Sequence, residues 1–383
     1  MVAGMRPFAH AAAGAAALAL AMGVGRFAYT ALLPSVQRVL GLDDAAGGLI
    51  ASVNLTGYLL GVLWARRTPP GAPRVALLRS GLVLSVLTTA AVVTVTGLAP
   101  WLGLRFLSGV ASGLVFVLVS GAVMEALPPG RERLSGLLFG GVGLGIALSG
   151  AVAALTHAAD WRVPWLVLGG ASVLLALPAL LMAPRQATAR LSEVAGGEEA
   201  GLSFGRLAAA YGLEGLGYIV SGTFAVRAVQ RTPGLEAWAP WTWVAAGLAA
   251  APSAALWSAA ARRLGPRQAL VLAFSAQALG MALPALSDAP WAALGGALLF
   301  GGTFIGIVTV TMELARRLVP HAQVRAIGSL TAVYGVGQAV GPYLAGRLSS
   351  ALGSPAPSVL AAAGAVALGA LLLALPPGRG GGR

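Results

Sequence analysis

The chain has no cysteine and no lysine, and only 10% of its 383 residues are charged. Without cysteine it can form no disulfide, thiolate nucleophile or cysteine-ligated metal site. Without lysine it has no Walker A motif, which excludes a primary nucleotide-driven pump. Histidine is also scarce: His10, His157 and His321 are scattered, and no His-Glu-x-x-His occurs. No metal or cofactor is therefore expected, and neither is the Ser-His, two-aspartate or zinc constellation of an intramembrane hydrolase. Soluble domains carry roughly a quarter charged residues, so this composition excludes an ordinary soluble enzyme.

What is present is apolar, with 57% hydrophobic residues and a mean hydropathy of +0.83. A bilayer crossing takes about 20 apolar residues, so the length accommodates about a dozen helices. Apolar segments fall at 9–33, 46–64, 75–98, 101–125, 135–157, 163–183, 206–228, 239–261, 268–286, 291–314, 326–348 and 357–376. The spacing predicts an all-α membrane protein with twelve transmembrane helices in two halves, 1–183 and 206–383, joined by a cytoplasmic linker over 184–205. Ala19-Leu20-Ala21 imitates a signal-peptide cleavage site, but the apolar helix runs on past it.

The net charge of +13 comes entirely from arginine on the basic side. These arginines sit singly or in pairs between apolar runs, so they mark orientation rather than a nucleic-acid face. With both termini inside, 18 arginines are cytoplasmic, five are outside and two, Arg26 and Arg105, lie within spans. The positive-inside rule selects that topology in a cell (inner) membrane.

The halves resemble each other. Gly23-Val-Gly25 in the first segment matches Gly215-Leu-Gly217 in the seventh, and Arg131, Gly141 and Gly143 match Arg325, Gly335 and Gly337. Segments two and eight both end in Ala-Arg-Arg, and segments four and ten in Met-Glu. Both copies start on the same side, so the repeat is parallel.

Arg105-Phe-Leu-Ser-Gly109-Val-Ala-Ser-Gly113 and Gly337-Gln-Ala-Val-Gly341-Pro342 resemble motifs of the major facilitator superfamily. Gly61-Val-Leu63-Trp-Ala65-Arg66-Arg67 is similar to the start of that superfamily's loop motif, with Ala65 where an aspartate is expected. More narrowly, Gly23-Val-Gly25-Arg26-Phe27-Ala28-Tyr29-Thr30 together with Ala51-Ser-Val-Asn54-Leu-Thr-Gly57-Tyr58 resembles the YbfB/YjiJ-type branch. The resemblance implies a 6+6 pseudo-symmetric fold and a small-solute permease of unsettled cargo.

A charge inside a span costs several kcal/mol and normally faces a cavity or a partner. Three residues qualify: Arg26, Arg105 and Glu214. Each has polar neighbours at helical spacing: Tyr29 and Thr30 by Arg26, Ser108 and Ser112 by Arg105, Tyr218 and Ser221 by Glu214. Asn54 with Tyr58, and Tyr334 with Gln338, repeat the pattern, and five such stripes would meet around one wet cavity. Arg26, Tyr29, Thr30, Asn54, Tyr58, Tyr218, Tyr334 and Gln338 are thus the expected substrate-binding set.

Arg26 could grip an oxyanion through its planar fork or could pair structurally with Glu214 or helix carbonyls. Arg105 has a structural or a proton-coupling role. Glu214 either carries a proton or balances charge permanently. Glu125 and Glu313 are either solvated helix ends or an inner gate, reaching Arg66 or Arg67 and Arg262 or Arg263 respectively. The expected function is secondary active transport of a small organic anion by alternating access, with protons as a candidate coupling ion and the chain acting as a monomer in the lipid bilayer. The alternative is proton-coupled export of drugs or metabolites. A cationic-drug exporter would place an acid in the cavity of the N-terminal half, where both buried charges here are arginine.

Overall fold

The computed structural model describes residues 2–127, 133–181, 202–320 and 323–376. Most of the expected linker, together with Arg131, lies outside them. Among the described residues all regular structure is helical. This is the only way for separate segments to satisfy their backbone groups in lipid without closing a barrel.

The first apolar segment is interrupted. It comprises α1 (Val2–Leu18), a π-helical turn (Ala19–Val24) and α2 (Ala28–Leu40), and so runs seven residues beyond the predicted end. The other eleven segments are single helices. In the N-terminal half these are α3 (Asp44–Arg67), α4 (Ala72–Ala91), α5 (Leu98–Ala126), α6 (Arg133–Leu155) and α7 (Arg162–Leu181). The C-terminal half holds α8 (Phe204–Gln230), α9 (Ala239–Leu264), α10 (Pro266–Leu286), α11 (Pro290–Leu318), α12 (Gln323–Leu352) and α13 (Ala356–Ala374). Ten of the twelve segments are long and apolar enough to cross a membrane. The exceptions, α8 and α12, carry Glu214, Tyr218, Tyr334 and Gln338, because polar residues facing the centre dilute their hydropathy.

α4 and α7 pack against their own half, as do α10 and α13. The halves meet along α3 with α12, α6 with α9, and α2 with α8. This pairing follows the repeat and makes the molecule a twelve-helix, 6+6 pseudo-symmetric membrane protein.

Small residues set the spacing within a half. A Cβ on Gly109 would lie 1.9 Å from the Asn54 carbonyl oxygen, and one on Gly113 2.3 Å from that of Tyr58. The spaced glycines of α5 therefore bring its backbone against α3, the usual use of small residues in membranes.

One end of the interface is tied by polar groups. Asp44, buried at the start of α3, lies 3.5 Å from Arg227 and 3.2 Å from Arg231 of α8 and accepts a hydrogen bond from Gln37 at 2.8 Å. Its neighbour Asp43 caps α3 by accepting from the Ala46 N–H. Asp43 also accepts from the Ser350 hydroxyl of α12 at 2.9 Å.

Candidate functional site

The π turn decides where Arg26 points. Gly25 N–H reaches back to Leu20 and Phe27 N–H to Met22, both five residues earlier, so the regular i to i−4 ladder lapses. Interruptions of this kind leave carbonyls without helical partners. Arg105 fills the gap from α5, donating through Nη1 to the Gly25 carbonyl at 2.7 Å and through Nη2 to that of Arg26 at 3.0 Å. Ser108 donates to Gly25 as well, at 2.8 Å. Asn54 holds the other side, donating to the Arg105 carbonyl at 2.7 Å. Arg105 is thus a backbone clamp that fixes the break in the first segment.

The break turns the Arg26 side chain toward the other half. It is 5% exposed, and Nη2 donates to the Tyr218 hydroxyl of α8 at 2.9 Å and to Gln338 Oε1 of α12 at 3.0 Å. Gln338 Nε2 donates to the same Tyr218 oxygen at 2.7 Å, closing a triangle. The guanidinium lies 4.7 Å from the Tyr58 ring and 4.9 Å from that of Phe27, within range for cation–π attraction. Every partner is neutral, and Nε has none.

The expected binding residues divide. Arg26, Tyr58, Tyr218 and Gln338 meet directly. Tyr334 stacks on Tyr218, 5.5 Å between ring centres, and on Tyr211 at 4.2 Å. Thr30 donates across the interface to the Gly222 carbonyl. Tyr29 faces Arg105 instead, its ring 5.2 Å from that guanidinium and its hydroxyl on the Gly47 carbonyl. A cavity is lined by both arginines, Asn54, Thr30 and Thr223, and no carboxylate is in its wall among the described residues.

Glu214 stands apart. It makes no ion pair with Arg26; the polar side chains facing it are Gln277 of α10 and Tyr334. Both carboxylate oxygens, and both polar atoms of Gln277, are fully buried without a hydrogen bond. The gating residues are likewise unjoined. Glu313 pairs with Arg317 one turn on, at 2.5 Å, and Glu125, Arg67, Arg262 and Arg263 are exposed. Arg66 lies against Gly328 of α12 in the other half.

Sequence reasoning missed the Asp44 cluster, although Arg227 and Arg231 one turn apart opposite an acidic helix start were a usable signal. It also missed Gln277, a lone carboxamide in an apolar run, and the rings of Phe300 and Phe304 beside Tyr218, with Trp243 against Phe300. Those three had no sequence signal, because aromatics in apolar helices usually serve as core.

Comparison with curated proteins returned no significant match. Among solved structures, the chain is similar to the nucleoside transporter NupG, with a TM-score of 0.75, 13% identity, and 95% of this chain and 99% of that one covered. It is also similar to a bacterial homologue of the human lysosomal transporter Spinster in an inward-facing, unoccupied conformation. That match has a TM-score of 0.70, 14% identity, and coverage of 96% and 95%. At such identities the likeness concerns the fold. The sequence model of a family described as "Uncharacterised MFS-type transporter YbfB" matches residues 18–374, nearly the whole chain. The chain therefore belongs to that family of transporters within the major facilitator superfamily.

Proposed function

We propose that the chain moves a small organic anion across the cell's inner membrane by alternating access. Residues 1–183 and 206–383 would rock as two units joined by 184–205, with both termini cytoplasmic and a single chain as the working unit. The observation that carries this reading is the state of Arg26. It is a buried guanidinium at the junction of both halves, and among the described residues its hydrogen-bond partners are the neutral Tyr218 and Gln338. A buried charge is costly unless paired, and an incoming carboxylate would supply the missing charge through bidentate hydrogen bonds.

Glu214 is the group we assign to a coupled proton. A carboxylate at full burial with no ion pair among the described residues is costly in the charged form, and Gln277 can pair with the neutral acid through both of its polar atoms. Glu125, Glu313, Arg66, Arg67, Arg262 and Arg263 would meet when the cytoplasmic end closes.

Flux in proteoliposomes tests the reading. Arg26→Ala should abolish carboxylate uptake, and Arg26→Lys, which keeps the charge but loses the fork, should reduce it strongly. Wild-type flux in Arg26→Ala, or stabilisation of the protein by cations and not by carboxylates, would overturn it in favour of drug export.

A further inference from the structure

Two features of the centre narrow the anion further, given the reading above. The first is charge. Arg105 spends both terminal nitrogens on the Gly25 and Arg26 carbonyls, whereas Arg26 meets the neutral Tyr218 and Gln338 through Nη2 and leaves Nε without a partner. One guanidinium facing neutral partners matches one carboxylate.

The second is the surface beside that fork. Phe27 touches the Arg26 guanidinium and lies 6.1 Å from Phe304 and 6.3 Å from Trp243, ring centre to ring centre. Phe300 bridges Phe304 at 5.9 Å and Trp243 at 6.3 Å, and Phe304 stacks on Tyr218 at 5.9 Å and 8°. The rings come from the first segment, α8, α9 and α11, so the aromatic lining crosses the interface between the halves as Arg26 does. Trp243 and Phe300 also line a second, mostly apolar space, together with Ser221, Thr242 and Met281. Trp243 and Ser221, which line this space, are 2% and 4% exposed, and their donors Nε1 and Oγ are buried without partners, so a solute reaching them would supply an acceptor.

We infer that the transported solute is a ring-bearing monocarboxylate. Its carboxylate rests on Arg26, Tyr218 and Gln338, and its ring lies along Phe27, Phe304 and Phe300. An acceptor at the far end of the ring is received by Trp243 Nε1 or Ser221 Oγ.

Binding to the purified wild-type protein should be measured by calorimetry with phenylacetate, 4-hydroxyphenylacetate, cyclohexylacetate, acetate, succinate and phenethylamine. Phenylacetate should bind about tenfold more tightly than cyclohexylacetate, because ring-on-ring geometry adds to area burial. The 4-hydroxy compound should bind at least as well. Phe304→Leu should erase the preference for phenylacetate over cyclohexylacetate. Equal affinity for phenylacetate and cyclohexylacetate, or preference for succinate, would overturn this inference and leave the anion reading intact. Binding of phenethylamine with no carboxylate bound would overturn both.

Discussion

Asp44→Asn should open the end of the molecule that carries the α2–α3 turn. The substitution keeps the shape and removes the charge that faces Arg227 and Arg231 across the interface. Breaking a fully buried ion pair by removing one partner costs 3–5 kcal/mol. Here the aspartate side chain is 2% exposed but the arginines are 22% and 36% exposed, so water recovers part of the loss. About 2 kcal/mol is the appropriate scale, or about 30-fold in an equilibrium. If the closed arrangement outnumbers the open one by 99 to 1, the ratio would fall to about 3 to 1. The absence of cysteine makes the assay clean, because spin labels attach only where Val39→Cys on α2 and Leu352→Cys on α12 place them; both positions are exposed. A longer distance component should appear in Asp44→Asn and again in Arg227→Gln combined with Arg231→Gln, and adding Asp44→Asn to the latter should change little further. A distance distribution identical to wild type in a folded Asp44→Asn protein would refute the clamp.

Arg105→Ala should lower the melting temperature measured in detergent, since it strands the Gly25 and Arg26 carbonyls in the bundle centre; about 3 kcal/mol is expected from the loss of two charged hydrogen bonds. Glu214→Gln should keep substrate exchange but lose accumulation driven by a pH gradient, as measured by tracer flux in proteoliposomes. For Asp43, the Ala46 N–H and the Ser350 hydroxyl hold the carboxyl below its ordinary value. Its tie to α12 is therefore fully present above the ordinary carboxylate range and is lost as pH falls through the lowered folded value. The same pair of spin labels should report loosening on acidification in wild type, and the part due to this group should vanish in Asp43→Asn.

Much of the architecture was written in the apolar runs, because a bilayer demands some 20 apolar residues per crossing whatever the neighbours. The two segments that blur this signal, α8 and α12, do so because their central faces are polar. The central placement of Arg26 was legible through the repeat, which aligns it with Tyr218; their hydrogen bond was not, and Glu214 was the side chain expected beside it. Gln338 and Tyr58 followed from i, i+4 spacing. The interruption at Ala19–Val24 was not legible, since Gly23 and Gly25 permit a π turn without requiring one; it depends on Arg105 arriving from α5. Glu214 was visible as a carboxylate in the middle of an apolar segment, away from its ends. That its neighbour would be Gln277, and not Arg26, depended on how α8 rotates against α10, which tertiary packing alone decides.

The interrupted first segment makes a jointed rod of what would otherwise be a stiff one. Its lower arm, α1, is fastened to α5, α6 and α7, and its upper arm, α2, leans on α8 of the opposite half. Arg26 sits at the elbow. On the proposed reading, a solute gripped there would not merely occupy a chamber between two moving bodies; it would load the joint between them. Selection would then act twice, first on whether a molecule reaches the guanidinium and again on whether the elbow can bend around it. Anions that seat well but are too bulky for the upper arm to swing would bind and block, so the inhibitors of this transporter would be a wider chemical set than its cargo.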